Sequence, residues 1–342
     1  MKALVLEEYM KLALRDVPEP TAGPGTVLVR VKACGICGSD VHGLDGSTGR
    51  RIPPLIMGHE AAGMVAAVGE GVTGWAPGDR VTFDSTIFCG ECWFCLRGLI
   101  NLCDRRRVLG VSCAEYRQDG AFAEYVAVPS RILYRLPDSL SYERAAMIEA
   151  LSVALHAVRR SPPGPGDTGV VVGAGMIGLL VIQALRRAGC GTVVAIDVDR
   201  DRLPMARRLG AELAIGSDAD PARAVRDITA GRGADVAFEV VGTTPALGTA
   251  VSCVRKGGAV TLIGNLSPSV ELALQVAVTR EVTIRGSCSS CWEYPACIGL
   301  IERGEVDVDS LLSAVAPLGE GPGWFERLHA REKGLMKVVL TP

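Results

Sequence analysis

The chain has 342 residues, 48% of them hydrophobic and 22% charged, with a formal net charge of −2. This length suits two domains with sizeable cores. The balanced charge argues against nucleic acid or an anionic membrane as a partner. The opening MKALVLEEYMKLALRDVP carries charges throughout, so no signal peptide is expected. The longest uncharged stretch, residues 169–185, is shorter than the ~20 residues of a spanning helix. Twelve cysteines without an export signal point to free thiols or metal rather than disulfides, and to the cytoplasm.

Through the first part of the chain, short apolar runs are broken by Gly and Pro: TVLVRV (26–31), AAGMVAAVG (61–69), RVTF (80–83), FAEYVAV (122–128) and ILYRLP (132–137). Such spacing predicts a mostly β domain. At residues 141–160 the apolar positions recur at helical spacing, and SPPGPGDTG (161–169) then breaks the chain. Strands and helices alternate from there. Strands are predicted at 169–175, 191–197, 234–242 and 259–265, and helices at 176–190, 201–211 and 246–258. That order predicts an α/β domain with a doubly wound parallel sheet. Beyond residue 287 the pattern is mixed, with a helix at 294–305 and a final strand at 336–342 that should rejoin the first domain.

GAGMIG, residues 173–178, lies where an apolar strand gives way to a helix. Gly173 allows the tight turn, Gly175 a close approach of backbone to a pyrophosphate, and Gly178 close helix–strand packing. The helix start, with Met176 and Ile177, offers free N–H groups to phosphates. Asp197 ends the next strand, where a carboxylate binds ribose hydroxyls and repels a 2′-phosphate. Val241, near the end of the 234–242 strand, is a further contact residue. The expected cofactor is NAD. Arg200 and Arg202 lie close by and would suit NADP, so that alternative stays open.

Cys89, Cys92, Cys95 and Cys103 have the spacing C-x2-C-x2-C-x7-C. Four thiolates around one ion are the pattern of a closed, structural zinc site. An iron–sulfur run would need a shorter last gap. CGICGSDVHG (34–43) and GHE (58–60) supply a different set: Cys37, His59 and Glu60 suit a zinc site that keeps a position free. Glu60 either coordinates directly or sits behind the metal, and Glu149 is a further candidate ligand. Cys34, Cys113, Cys190, Cys253 and Cys297 read as packing residues, whereas Cys288 and Cys291 are left open.

Together CGICGSDVHG, GHEAAGMVAAVGEGV, PGDRV, the four-cysteine knot ending in NLC, GAGMIG and KGGAVTLIG resemble the zinc-containing medium-chain dehydrogenases and reductases. The resemblance runs the length of the chain. It is strongest to the polyol branch, the sorbitol (L-iditol) dehydrogenases, with threonine dehydrogenases as near relatives. It implies a GroES-like β-rich catalytic domain (1–147 and 286–342) carrying both zincs and a Rossmann domain (148–285). A homo-oligomer, tetramer or dimer, is implied as well. The implied reaction is hydride transfer from a secondary hydroxyl of a polyol or sugar-like substrate to NAD, with L-threonine or a sugar phosphate as the alternative. In that mechanism Ser39 takes the hydroxyl proton, His42 passes it on through the cofactor ribose, and Asp40 holds His59 in the right tautomer. The chain departs from the polyol pattern at Ala150, where proline is usual. It departs again at residues 285–295, where an arginine is usual and Ser289 stands instead. Trp292, Tyr294 and Arg50–Arg51 are candidates for shaping a different pocket, although a solvated loop is the expected place for the two arginines.

Overall fold

The computed structural model describes all 342 residues. They form two compact units, Met1–Glu149 with Ser290–Pro342, and Ala150–Ser289. The chain divides two residues beyond the first expected boundary and four beyond the second.

The first unit is built on a sheet in the order Leu133–Arg135, Arg80–Phe83, Glu60–Val68, Thr26–Gly35, Lys337–Thr341, Leu312–Pro317, with Tyr125–Pro129 also pairing Thr26–Gly35. The sequence TVLVRVKACG is β-branched or apolar at all but Arg30, Lys32 and Gly35, as befits a central strand with little exposed surface. The last strand returns to its side, with Val339 opposite Gly35 and Leu340 opposite Cys34. Below the sheet, Phe83, Phe122 and Phe325 are buried, and Phe122 meets Phe325 edge to face at 5.7 Å. Each such ring contributes about 1.5–3 kcal/mol through burial.

The second unit is a six-stranded parallel sheet in the order Leu213–Gly216, Thr192–Asp197, Thr168–Val172, Ala234–Glu239, Val254–Leu262, Thr283–Gly286. The central strand, TGVVV, is buried at all five positions. Strand order reverses beside it, and in such sheets the crevice at the reversal is where ligands bind.

Some expectations needed correction. The helix expected over 141–160 is two, Tyr142–Ala145 and Ile148–Arg160. The helix expected over 246–258 ends at Cys253, and Val254 opens a strand. Two glycines follow, and Gly257 has φ +66°, so continuing the helix would be costly. The hairpin Lys2–Glu8 with Lys11–Asp16 was not anticipated, because charges interrupt its apolar alternation. Nor were Leu213–Gly216, Pro221–Ile228 and Gly321–His329. No helix is long and apolar enough to cross a membrane.

Candidate active site and nucleotide site

In the first unit, Cys37 caps the helix Gly38–Leu44 just past the end of the strand Thr26–Gly35. Gly35 pairs with Glu60 on the neighbouring strand, which sets His59 and Glu60 beside Cys37. The donor atoms of Cys37, His59 and Glu60 all lie within 4.8 Å of one another. One thiolate, one imidazole and one carboxylate at that separation fit a zinc ion with an open position. Gly35 is required here, since a Cβ on it would collide with the Glu60 carboxylate.

Around these donors the buried charges are paired. Lys337 Nζ donates to Glu60 Oε2 at 2.5 Å and to the Ile36 carbonyl at 3.0 Å, with both side chains buried. Asp40, fully buried, accepts from the Cys37 N–H at 3.3 Å and from Arg51 Nη2 at 3.0 Å. Its Oδ1 lies 3.4 Å from His59 Nδ1, close enough for an ion pair but too poorly aligned for a full hydrogen bond. Burial pushes the Asp40 carboxyl up, yet His59 and Arg51 outweigh this and hold it well below the usual range. The contact fits an aspartate that orients a ligating histidine.

Of the arginine pair expected in a solvated loop, only Arg50 is there. Arg50 is exposed, but Arg51 is 4% exposed and turned inward onto Asp40 and Ser39. Ser39 is exposed at the start of its helix, and His42 sits half-buried in the last turn. Glu149 does not join the three clustered donors; its Oε1 accepts from Ser85 Oγ at 3.1 Å. Burial pushes its carboxyl up.

The second cluster is the knot. Cys89, Cys92, Cys95 and Cys103 bring their sulfurs within 4.8 Å of one another. Backbone N–H groups point at them: Cys92 N lies 3.3 Å from Cys89 Sγ and Cys89 N 3.2 Å from Cys103 Sγ. The Glu91 N–H, foremost, holds the Cys89 thiol down at about 6, despite some loss of solvent. Four sulfurs in this geometry fit a closed, tetrahedral zinc.

In the second unit, the helix Met176–Arg187 starts at Gly175 with no side-chain cap, leaving its first N–H groups for a ligand. Gly173 has φ +107°, and a Cβ there would meet Val241 at 2.8 Å. A Cβ on Gly178 would strike the Gly173 carbonyl. Asp197, buried at its strand end, accepts from the Ala174 N–H at 2.5 Å and from the Asp199 N–H at 2.7 Å. Its carboxylate thus holds the glycine turn. Arg202 Nη1 lies 3.9 Å from Asp197, and Arg200 is paired with Asp218 at 2.8 Å.

Residues 23–138 match the model of the alcohol dehydrogenase GroES-like domain, and residues 177–303 that of the zinc-binding dehydrogenases. Sorbitol dehydrogenase of Bacillus subtilis is 34% identical over all of this chain and 97% of its own. Among solved structures, alcohol dehydrogenase TADH from Thermus sp. ATN1 superposes with a TM-score of 0.92 at 34% identity, over 100% of this chain and 99% of that one. The chain belongs to the zinc-binding alcohol dehydrogenase family. A zinc-binding dehydrogenase from Sinorhizobium meliloti bound to NADP is also similar, at 33% identity and a TM-score of 0.91 over 100% and 99% of the two chains. The dehydrogenase uses zinc and a nicotinamide dinucleotide.

Several parts of this dehydrogenase escaped the sequence reading. Lys337, the buried partner of Glu60, was not read as a site residue, and Arg51 was read as a pocket candidate or solvated-loop residue, not as the buried partner of Asp40. Their signal was faint: a single lysine opening an apolar strand, and one arginine in a polar loop. Asp84 is also buried, accepting from the Thr86 N–H at 2.8 Å and from Ser290 Oγ at 3.3 Å. Of the cysteines left open, Cys291 donates to the Gly98 carbonyl at 3.0 Å, which also accepts from Trp292 Nε1 at 2.8 Å. Cys288 is exposed, and Ser289 has φ +56°. Tyr294 is buried against Tyr134, so it packs rather than lines an open pocket. Cys34 is fully buried, and burial drives its thiol well above the usual range. Cys190, Cys253 and Cys297 are buried too, as packing residues should be, whereas Cys113 is only half-buried.

Proposed function

We propose that this dehydrogenase oxidises a secondary hydroxyl of a polyol or sugar-like substrate to a ketone, with NAD as the hydride acceptor. The observation that carries the reading is the Cys37, His59 and Glu60 cluster, set in a chain similar over its whole length to a sorbitol dehydrogenase. Cys37, His59 and Glu60 would hold zinc, which would supply Lewis acidity toward the hydroxyl oxygen, and the bound dinucleotide would supply the hydride acceptor. Ser39 accepts the hydroxyl proton, and His42 passes it toward solvent. Asp40 keeps His59 in the tautomer that leaves its other nitrogen free for the ion. Glu149, half-buried and held by Ser85, is the reserve carboxylate, able to serve when Glu60 stays with Lys337. Cys89, Cys92, Cys95 and Cys103 hold the second, structural zinc.

Gly173, Gly175, Met176, Ile177 and Gly178 form the pyrophosphate turn, and Val241 faces it at Gly173. Asp197 favours NAD, because a 2′-phosphate would meet a buried carboxylate, and Arg202 lies against it at the rim. Twelve cysteines without a disulfide fit a reducing compartment, and we place the protein in the cytoplasm. The family resemblance supports a homo-oligomer, dimer or tetramer, which light scattering would measure.

The test is the initial rate of NADH formation with sorbitol, xylitol, inositol, L-threonine, simple secondary alcohols and sugar phosphates. The highest kcat/KM is expected with a free polyol. A preference for threonine or a phosphorylated sugar would move the substrate and leave the chemistry. Asp197→Ser should narrow the preference for NAD over NADP by about tenfold or more, the scale of a charged hydrogen bond. An unchanged ratio would remove Asp197 from that role.

A further inference from the structure

We infer that Arg51 is a positioning residue for proton transfer, holding the Ser39 hydroxyl in one orientation while anchored on Asp40. The inference rests on the reading of Ser39 as first proton acceptor. Arg51 is nearly fully buried, and its guanidinium bridges two functions. Nη2 donates to Ser39 Oγ at 3.1 Å and to Asp40 Oδ1 at 3.0 Å, Nε lies 3.3 Å from the same oxygen, and Nη1 donates to the Arg50 carbonyl at 3.1 Å. The fold is shaped to admit it. Gly43 faces its stem, and a Cβ there would collide with Arg51 Cγ. The backbone on either side is pinned, with Ser112 N–H donating to the Arg50 carbonyl at 3.2 Å and Ile52 N–H to the Ser112 carbonyl at 3.0 Å.

The chemistry follows from counting donors and acceptors. A serine hydroxyl has one proton to give and two lone pairs. Arg51 occupies one lone pair. The other is left for the substrate proton and the O–H for onward transfer, so Ser39 has no idle group and no freedom to rotate between tasks. The step balances on the serine. The substrate O–H proton arrives at Oγ as the serine's own proton leaves toward His42, while hydride passes from the substrate carbon to NAD. Arg51 only donates throughout, since a guanidinium carries N–H donors and no acceptor. Its charge is already met by Asp40, so the reach to Ser39 is not needed to neutralise a buried cation.

Arg51→Ala would strand Asp40 as a buried, unpaired charge, so the informative variant is Arg51→Lys. An ammonium keeps the charge against Asp40, but it ends one bond short of Nη2 and has no planar fork with which to reach Ser39. The experiment compares the native enzyme with Arg51→Lys, Ser39→Ala and the double variant, measuring kcat, the KM for NAD, zinc content and melting temperature. Arg51→Lys should bind the same zinc, melt within a few degrees of the native protein, leave the KM for NAD unchanged and lower kcat by roughly tenfold, a fraction of what acid–base groups supply. In the Ser39→Ala background the lysine should add less than about a twofold loss, because its partner is gone. A crystal structure of Arg51→Lys should show Ser39 in more than one rotamer. An equal loss in both backgrounds would overturn the inference and leave Ser39 as acceptor. Full activity of Ser39→Ala would overturn both.

Discussion

The two donor clusters of the catalytic unit solve opposite problems. The knot gathers four sulfurs from one fifteen-residue stretch, and its supporting contacts are backbone N–H groups of that same stretch. The cluster at Cys37, His59 and Glu60 draws its donors from a helix start, the loop before a strand and the first residue of that strand. Its supporting charges, Asp40, Arg51 and Lys337, are buried and come from as far as 277 residues away. A closed sulfur site replaces a core that a small lobe cannot build. An open mixed site must instead hold each ligand from behind, because the position left free for substrate cannot contribute to its rigidity.

Removing one donor from each site should therefore give different failures. Cys103→Ser should cost several kcal/mol of stability, since structural zinc supplies folding free energy directly. Urea titration and limited proteolysis within residues 89–103 would show it, and a native-like midpoint would contradict it. Cys37→Ser should leave the fold in place and lower turnover by on the order of 10³-fold or more, the scale of Lewis-acid stabilisation. A variant that retains activity would put the chemistry elsewhere.

Subtler changes sharpen the contrast. Lys337→Met leaves the buried Glu60 carboxylate without its partner and should cost about 3 kcal/mol or more. Adding Glu60→Gln should recover part of that loss, and no recovery would show that Lys337 acts through something other than the pair.

Between the two clusters, Asp84 bonds Ser290, and the adjacent Cys291 and Trp292 bond the Gly98 carbonyl of the knot lobe. Burial pushes the Asp84 carboxyl up to about 7, against the pull of the Thr86 N–H. Its folded pKa then lies above the unfolded value of about 3.9. The native state binds this proton more tightly, so the group's contribution is complete below about pH 4 and is lost as pH rises through about 7. Asp84→Asn should gain about 2–3 kcal/mol relative to the native protein on going from pH 5 to pH 8. A difference that is flat with pH would place the titration elsewhere.

What could be read from the chain beforehand follows the same division. The knot, the glycine turn and Asp197 were legible because their geometry is local: a few residues close a tetrahedron or a turn. Cys37, His59 and Glu60 were legible as types of ligand and through family resemblance. Arg51, Lys337 and Asp84 were not, because a buried charge is recognised by its partner, and the partner is set by strand pairing. Lys337 finds Glu60 only because Lys337–Thr341 returns beside Thr26–Gly35. Likewise, Val254 begins a strand rather than ending a helix because it can pair with Ala234, which helical periodicity cannot reveal.

The division of labour is tested most directly by counting zinc per chain with native mass spectrometry, in the native protein, Cys37→Ser and Cys103→Ser, alongside NADH formation from each. Two ions in the native protein and one in each variant are expected, with turnover lost in Cys37→Ser while its fold persists. A single ion in the native protein, or a Cys37→Ser chain that keeps both ions and its turnover, would contradict it.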